Sequence, residues 1–466
     1  MISIASQPTG VITSANNDNY YVVSSSTPFS QSQYNDFKYI ADVYYYNDAN
    51  PSGVRLTRLK SFPDLNYNFG TFNLRNIANT LVSYDFSYTL ANDTVQPFHT
   101  SSNGSATIQL QLGEEYSYGS TFSQSLNLAT TNPIAYFNGA LTYVDQCTFD
   151  YNSIVMAPGS SPREFMTDYP SLVYPAYTEL RQWLYFYNYP TSGGVYYSIV
   201  TTYDGTGATI GSYSIPNPYN VYQGVEYFAC GYNQLKTFGT TYTSSYSVLS
   251  GTPIMFNPAY PVSKYTIQFA ASGSSFSSGS VFLINAGGNF IINSDGSDIV
   301  TGGFTSGSLT VSNQLEFDIQ TNCGKYKATT YAVYWLNSLG GWDSWLFNKK
   351  NIEAATKVTS QFKKIPGKLL PNGVISNNTY DRANSNYYTQ VTNTLNLNSD
   401  FLSDQQVIYL KNLFSSPAIY VEDQNGVLQA ANVTDDSYTL SKKVNAKVYS
   451  LSLNLELSQP DYRQTL

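Results

Sequence analysis

At 466 residues the chain is long enough for about two to four domains with substantial cores. Charged residues make up only 12%, about half the roughly 25% of ordinary soluble proteins, and the formal net charge of −8 argues against general nucleic-acid binding. The 44 tyrosines exclude a disordered chain, and the scarcity of Glu, Lys and Ala over most of its length excludes long helices.

Residues 1–33 are polar and rich in Ser and Asn, and read as an N-terminal arm. The opening Met1–Pro8 has neither a basic region nor a long apolar run, so no signal peptide is expected. From Phe37 to Tyr46 apolar residues alternate, with Phe37, Tyr39, Ala41, Val43 and Tyr45 on one face. The turn-rich Asn47–Gly53 then returns the chain as a partner strand over Val54–Phe62. Asn73 is placed to cap a short helix that carries Leu74, Ile77 and Leu81 on one side. Asn103-Gly104 precedes a strand with Ala106, Ile108, Leu110 and Leu112 facing one way, and Ile134–Tyr143 reads as another strand. Residues 34–155 are therefore expected to form a β-sandwich.

A linker-like Ala157–Pro162 leads to a second β domain, 156–325. Tyr177–Tyr187, Val195–Tyr203, the turn Asp204–Gly207 and Ala208–Ile215 open it. Further strands are expected at Tyr265–Ala270, Val281–Asn285, Phe290–Ile292 and Leu315–Gln320. The last part, 326–466, reads as a smaller α+β domain that docks onto a neighbouring layer. It carries a basic run of Lys349, Lys350, Lys357, Lys363, Lys364 and Lys368, offset by Glu353. A helix follows, with Ser403 and Gln406 as a capping box, Val407, Leu410 and Phe414 as its apolar stripe and Pro417 as its stop. Then come a hairpin turning on Asn425-Gly426 and a last strand in which Leu451, Leu453, Leu455 and Leu457 alternate. The expected fold is mainly β: two β-sandwich-like domains followed by a smaller α+β C-terminal domain with one clear helix.

Three of the four tryptophans fall in one hairpin, with strands Tyr331–Leu336 and Trp342–Phe347 about the turn Asn337–Gly341. Trp335, Trp342, Trp345 and Phe347 are the candidates for packing or interface anchors, because aromatic residues on a tight hairpin usually nucleate a core or fill a contact. The stretch Tyr331-x-x-Tyr334-Trp335-Leu336-Asn337-x-Leu339-Gly340-Gly341-Trp342-Asp343-Ser344 resembles one in structural tail proteins of tailed bacteriophages, notably those infecting Bacteroidota. The resemblance extends weakly through Asp400-Phe401-Leu402, and Phe37–Val43 is similar to the opening strand of such proteins. It implies a non-enzymatic virion protein of the tail, baseplate or neck, assembled in the host cytoplasm as a ring homo-oligomer in contact with other tail or neck proteins.

Chemistry-bearing motifs are sparse. His99 is the only histidine, and Val95–His99 reads as a surface loop. Glu114-Glu115 and Glu316 with Asp318 are the carboxylate pairs a glycosidase would need; the first pair points to opposite strand faces and the second to a solvated face. Asn293–Asp298 superficially has the look of a calcium loop but lacks the closing Glu, and reads as a turn. Cys147, Cys230 and Cys323 are far apart and odd in number, so buried thiols are expected rather than disulfides or zinc. No catalytic residue, metal or cofactor is expected. No segment approaches the roughly 20 apolar residues of a membrane span. The basic run reads first as a solvated surface face, with a contact to an acidic neighbouring subunit or a patch facing packaged DNA as its sharper readings; direct DNA contact is not expected. A glycan-binding adhesin is the second reading and a polysaccharide-degrading enzyme the third, the tryptophans being possible sugar platforms.

Overall fold

Apolar alternation becomes strand through most of the chain, and the fold is mainly β. The computed structural model describes residues 2–26, 34–47, 50–86, 96–157, 162–190, 193–241, 256, 261–271, 280–282, 300–302, 310–320, 329–434, 441–443 and 448–462. They divide into two compact units, Met1–Thr321 with Leu336–Asp343, and Asn322–Trp335 with Ser344–Leu466.

The first unit holds two hydrophobic cores. In one, the three-stranded sheet Ile2–Ser6, Tyr20–Ser25 and Gly70–Asn73 shares its buried face with a larger sheet. That sheet runs Ile12–Ser14, Ile134–Phe137, Ser105–Tyr118, Tyr34–Asn47 and Asn50–Ser61, with Thr121–Thr130 added to Ser105–Tyr118. The expected inward sets hold: Phe37, Tyr39, Ala41 and Val43 meet Ala106, Ile108, Leu110 and Leu112, all buried. The expected N-terminal arm is corrected. Tyr21 and Val23 are core residues of the first sheet, because alternation over only six residues, between Asn- and Ser-rich flanks, suffices once a partner sheet covers it. The strand expected over Ile134–Tyr143 stops at Phe137; Tyr143–Thr148 is a short helix instead.

The second core lies between the sheet Val155–Met156, Trp183–Asn188, Gly224–Ala229, Phe98–Thr100 and the sheet Val173–Ala176, Leu315–Ile319, Lys264–Ala270, Tyr197–Tyr203, Thr209–Pro216. Phe98, Phe186, Phe228 and Phe269 cluster at its centre, with ring centroids 4.7–6.4 Å apart. His99 therefore sits on a strand rather than a loop, its ring stacked on Tyr227 at 5.0 Å. Phe98–Thr100 reaches this core from the N-terminal half of the chain, so the expected boundary at 155 does not separate independent folds.

The second unit is built on an eight-stranded sheet that runs Trp342–Phe347, Tyr331–Leu336, Ile419–Glu422, Leu428–Val433, Ser452–Leu457, Asn384–Asn398, Ile352–Lys363, with Asp461–Tyr462 added to Asn384–Asn398; Leu336, Trp342 and Asp343, at the turn end of its first two strands, are counted with the first unit. The helix Asp404–Ser415 has the expected capping box, both reciprocal bonds of Ser403 and Gln406 being made. Its buried stripe is Val407, Leu410 and Leu413; Phe414, expected in that role, is only half-buried.

Phe290–Ile292, the turn Asn293–Asp298 and Cys323 lie outside the described residues. Of the other cysteines, Cys230 is buried as expected and Cys147 is exposed on its short helix. No helix among the described residues is long and apolar enough to cross a membrane.

Candidate functional site: the tryptophan hairpin and the lysine-bearing arm

The polar letters of the hairpin seat its turn. Asn337 Oδ1 accepts from the backbone N–H groups of Leu339 and Gly341 at 3.0 and 2.9 Å, and its Nδ2 donates to the carbonyl of Met166 at 3.0 Å. Gly340 takes φ +77°, and a side chain there would strike the carbonyl oxygen of Asn138. The backbone N–H and hydroxyl of Ser338 donate to Asp168 at 2.9 and 2.6 Å. Asp343 accepts from Thr167 Oγ1 at 2.7 Å and from the N–H of Asp168 at 3.1 Å. Burial, reinforced by the charge of Asp168, pushes the Asp343 carboxyl up to about 7.

The apolar letters fill interiors. Trp335 and Phe347 are 0% exposed, Trp342 2% and Trp345 5%, which leaves no indole face for a sugar or a partner. Trp342 Nε1 donates to the carbonyl of Asp85 at 3.0 Å, and its ring lies 4.3 Å from Phe86. Trp335 and Trp345 pack on Tyr409 of the helix, with centroids 4.9 and 6.2 Å away. Trp335→Ala is expected to cost ~3–5 kcal/mol in denaturant unfolding, and Lys357→Ala less than about 0.5 kcal/mol. Comparable losses in the two variants would contradict these placements.

The lysines lie on a different kind of surface. Ile352–Lys363 pairs with Asn384–Asn398 through twelve register positions to form a long hairpin arm; from Gln390 onward the other edge of Asn384–Asn398 pairs with Asp461–Tyr462 and Ser452–Leu457, so the arm is two-stranded only toward its tip. Along Ile352–Lys363 no residue is buried, and the strand ends the sheet, its outer edge unpaired among the described residues. One face carries Ile352, Val358 and Phe362, with Phe362 6.3 Å from Tyr387. Lys357 and Lys363 alternate with them on the other face, and Lys364 and Lys368 follow beyond the strand. Val358 is 55% exposed, Phe362 43%, Ile365 68% and Leu369 69%, far above a folded interior. Lys349 is apart from this group, ion-paired with Asp400 at 2.8 Å, and Lys350 is exposed beside it.

The arm was not expected from the basic run, though its signals are present. Thr356, Val358 and Thr359 on one strand and Thr389, Val391, Thr392 and Thr394 on the other are β-branched. Leu370-Pro371-Asn372-Gly373-Val374 is the reversal between them, with Gly373 at φ +78°.

The carboxylates weighed for hydrolysis do not converge. Glu114 accepts from Ser25 at 2.7 Å, whereas Glu115 is held by Lys60 at 2.7 Å and Gln124 at 2.9 Å. Both are buried yet face opposite ways as expected, Glu114 toward the covering sheet that carries Ser25 and Glu115 toward Lys60 and Gln124 on neighbouring strands. Glu316 pairs with Lys264 at 2.9 Å. No group of three or more metal-ligating side chains occurs among the described residues. Sequence reasoning missed Glu226, a wholly buried carboxyl bonded by Asn188 and Asn217, each at 2.8 Å. Its place in an otherwise apolar strand, Gly-Val-Glu-Tyr-Phe-Ala, was the available signal.

No protein-family model matches the chain, and no curated protein sequence matches it.

Proposed function

We propose that this chain is a non-enzymatic bacteriophage virion structural protein that self-assembles into a tail, baseplate or neck ring through its 352–398 arm. The arm is the observation that carries the reading. Its outer strand, Ile352–Lys363, has no buried residue, and toward its tip the arm is a two-stranded ribbon, which is marginal in water, so cover from a partner would stabilise it. Its free outer edge offers a row of backbone donors and acceptors for strand addition. Lysines on such an edge discourage indiscriminate pairing and so select an acidic acceptor.

Charge complementarity favours a second copy as the acceptor. Residues 349–398 hold seven of the 23 lysines and arginines but only Glu353 and Asp381 of the 31 acidic residues, so the rest of the chain is strongly acidic. An arm on one copy and its acceptor on the next make a head-to-tail contact, which closes as a ring when the rotation allows. The sparse charge elsewhere fits permanent assembly, since Tyr, Asn, Ser and Thr make contacts without burying ions. The likeness of the Tyr331–Ser344 stretch to phage tail proteins supplies the virion context.

Mass spectrometry of purified virions, with copy number per particle, tests this. The chain is expected there in several copies, and electron micrographs of the concentrated protein are expected to show closed rings. Absence from virions, or a lone monomer at every concentration, overturns the reading.

A further inference from the structure

We propose that a cleft in the first unit, lined by tyrosines and side-chain amides, binds a neutral oligosaccharide. The cleft has a volume of about 580 Å³, within the roughly 300–1,000 Å³ of small-ligand sites. Tyr45, Tyr46, Tyr189 and Tyr222 line it together with Gln109 and Gln223. Among the described residues that line it none carries a charge, in a chain with 54 formally charged side chains. Such a lining has nothing to neutralise a phosphate, carboxylate or ammonium ligand, whose desolvation would go uncompensated. It does match a sugar, which offers an apolar C–H face to a phenol ring and hydroxyls to amides.

Two of the rings are set before any ligand arrives. Tyr46 Oη donates to Gln109 Oε1 at 2.7 Å, and Gln109 Nε2 donates to the carbonyl of Thr131 at 2.8 Å, fixing both. Behind Tyr46 lies Gly53, at φ +79°, where a Cβ would come within 2.7 Å of the ring. Behind Tyr222 lies Gly224, where a Cβ would again fall 2.7 Å from the ring. Each ring therefore rests on backbone that only glycine exposes, and ligand binding loses little side-chain freedom. Gln223, between Tyr222 and Gly224, is exposed; its Nε2 donates to the Tyr187 hydroxyl over a long 3.4 Å, a weak bond that a ligand hydroxyl can replace. Nothing in this depends on self-assembly, since the cleft lies in the first unit and the arm in the second.

Calorimetric titration of the full chain with neutral hexasaccharides of glucose, mannose and N-acetylglucosamine, and with hexagalacturonate as the anionic control, tests the site. At least one neutral hexasaccharide is expected to bind with Kd below ~1 mM, and hexagalacturonate not to bind. Tyr222→Ala and Gly53→Ala are each expected to weaken binding about tenfold. Gln223→Ala, at an exposed position whose long bond to Tyr187 contributes little to folding, is expected to weaken it about threefold. The proposal is overturned if no neutral sugar binds, if the anionic one binds as well, or if Gln223→Ala and Tyr222→Ala both bind like the parent.

Discussion

Excising Lys357–Val391 and joining Thr356 to Thr392 through Asn-Gly is expected to abolish self-association while both compact units stay folded. Thr356 and Thr392 face each other in the register, so a two-residue turn closes the shortened hairpin and keeps its remaining pairing; only the exposed Asp461–Tyr462 loses its partners, Gln390 and Val391. Of the excised residues only Ser385 is buried, so the deletion removes little that stabilises a single chain. The unfolding free energy should therefore stay within about 1 kcal/mol of the parent. Sedimentation velocity reads the loss of oligomer directly. Because the proposed contact sets a basic arm against an acidic surface, the parent oligomer should also weaken as salt shortens the Debye length to about 3 Å near 1 M. An oligomer that survives the excision places the contact elsewhere.

The second large effect is on pH. Burial pushes the Glu226 carboxyl up to about 8 despite two amide donors, against an ordinary value of 4.5. Between those values the folded chain keeps a proton that the unfolded chain has released. Stability is therefore full below the lower value and falls as pH rises, by about 1.4 kcal/mol per unit, reaching about 5 kcal/mol by pH 8. Asp343, raised by burial and by Asp168, acts with the same sign. Asp42, held low chiefly by its hydrogen bonds from Arg58, and Glu115, held low chiefly by Lys60, act in the opposite sense. Their stabilisation is present above the ordinary carboxylate range and is lost only as pH falls through their lowered values. Denaturant midpoints of the first unit are thus expected to peak near about pH 5 and decline toward pH 8.

Glu226→Gln removes this carboxyl from the titration. The new amide meets two amide donors, so Asn188 or Asn217 must turn. Turning breaks the bond from Val195 N–H to Asn188 at 2.9 Å or from Tyr219 N–H to Asn217 at 3.0 Å. The variant should lose about 1–3 kcal/mol near pH 5 yet approach or overtake the parent by pH 8. A pH profile parallel to that of the parent would show that Glu226 does not set the slope.

Local pattern made much of the fold legible. The Phe37–Tyr46 and Ser105–Tyr118 alternations, the Ser403 capping box, the Asn425-Gly426 hairpin and the leucine strand Leu451–Leu457 all correspond to described elements, because period, caps and turn residues act over a few residues. The N-terminal strands and the strand under His99 were not legible. They are short, and partners from distant parts of the chain stabilise them.

The same division runs through the candidate sites. Aromatic and amide-rich composition, scarce charge, a mainly β fold and a concentration of lysines after residue 348 are properties of the chain as written, since they need no partner to exist. Which tryptophans are hidden, that Lys357 and Lys363 ride an uncovered edge strand, that four tyrosines from separated segments meet in one cleft and that Glu226 is sealed from water were settled only by folding. Burial and convergence depend on contacts between residues far apart in sequence, and no local period encodes those contacts.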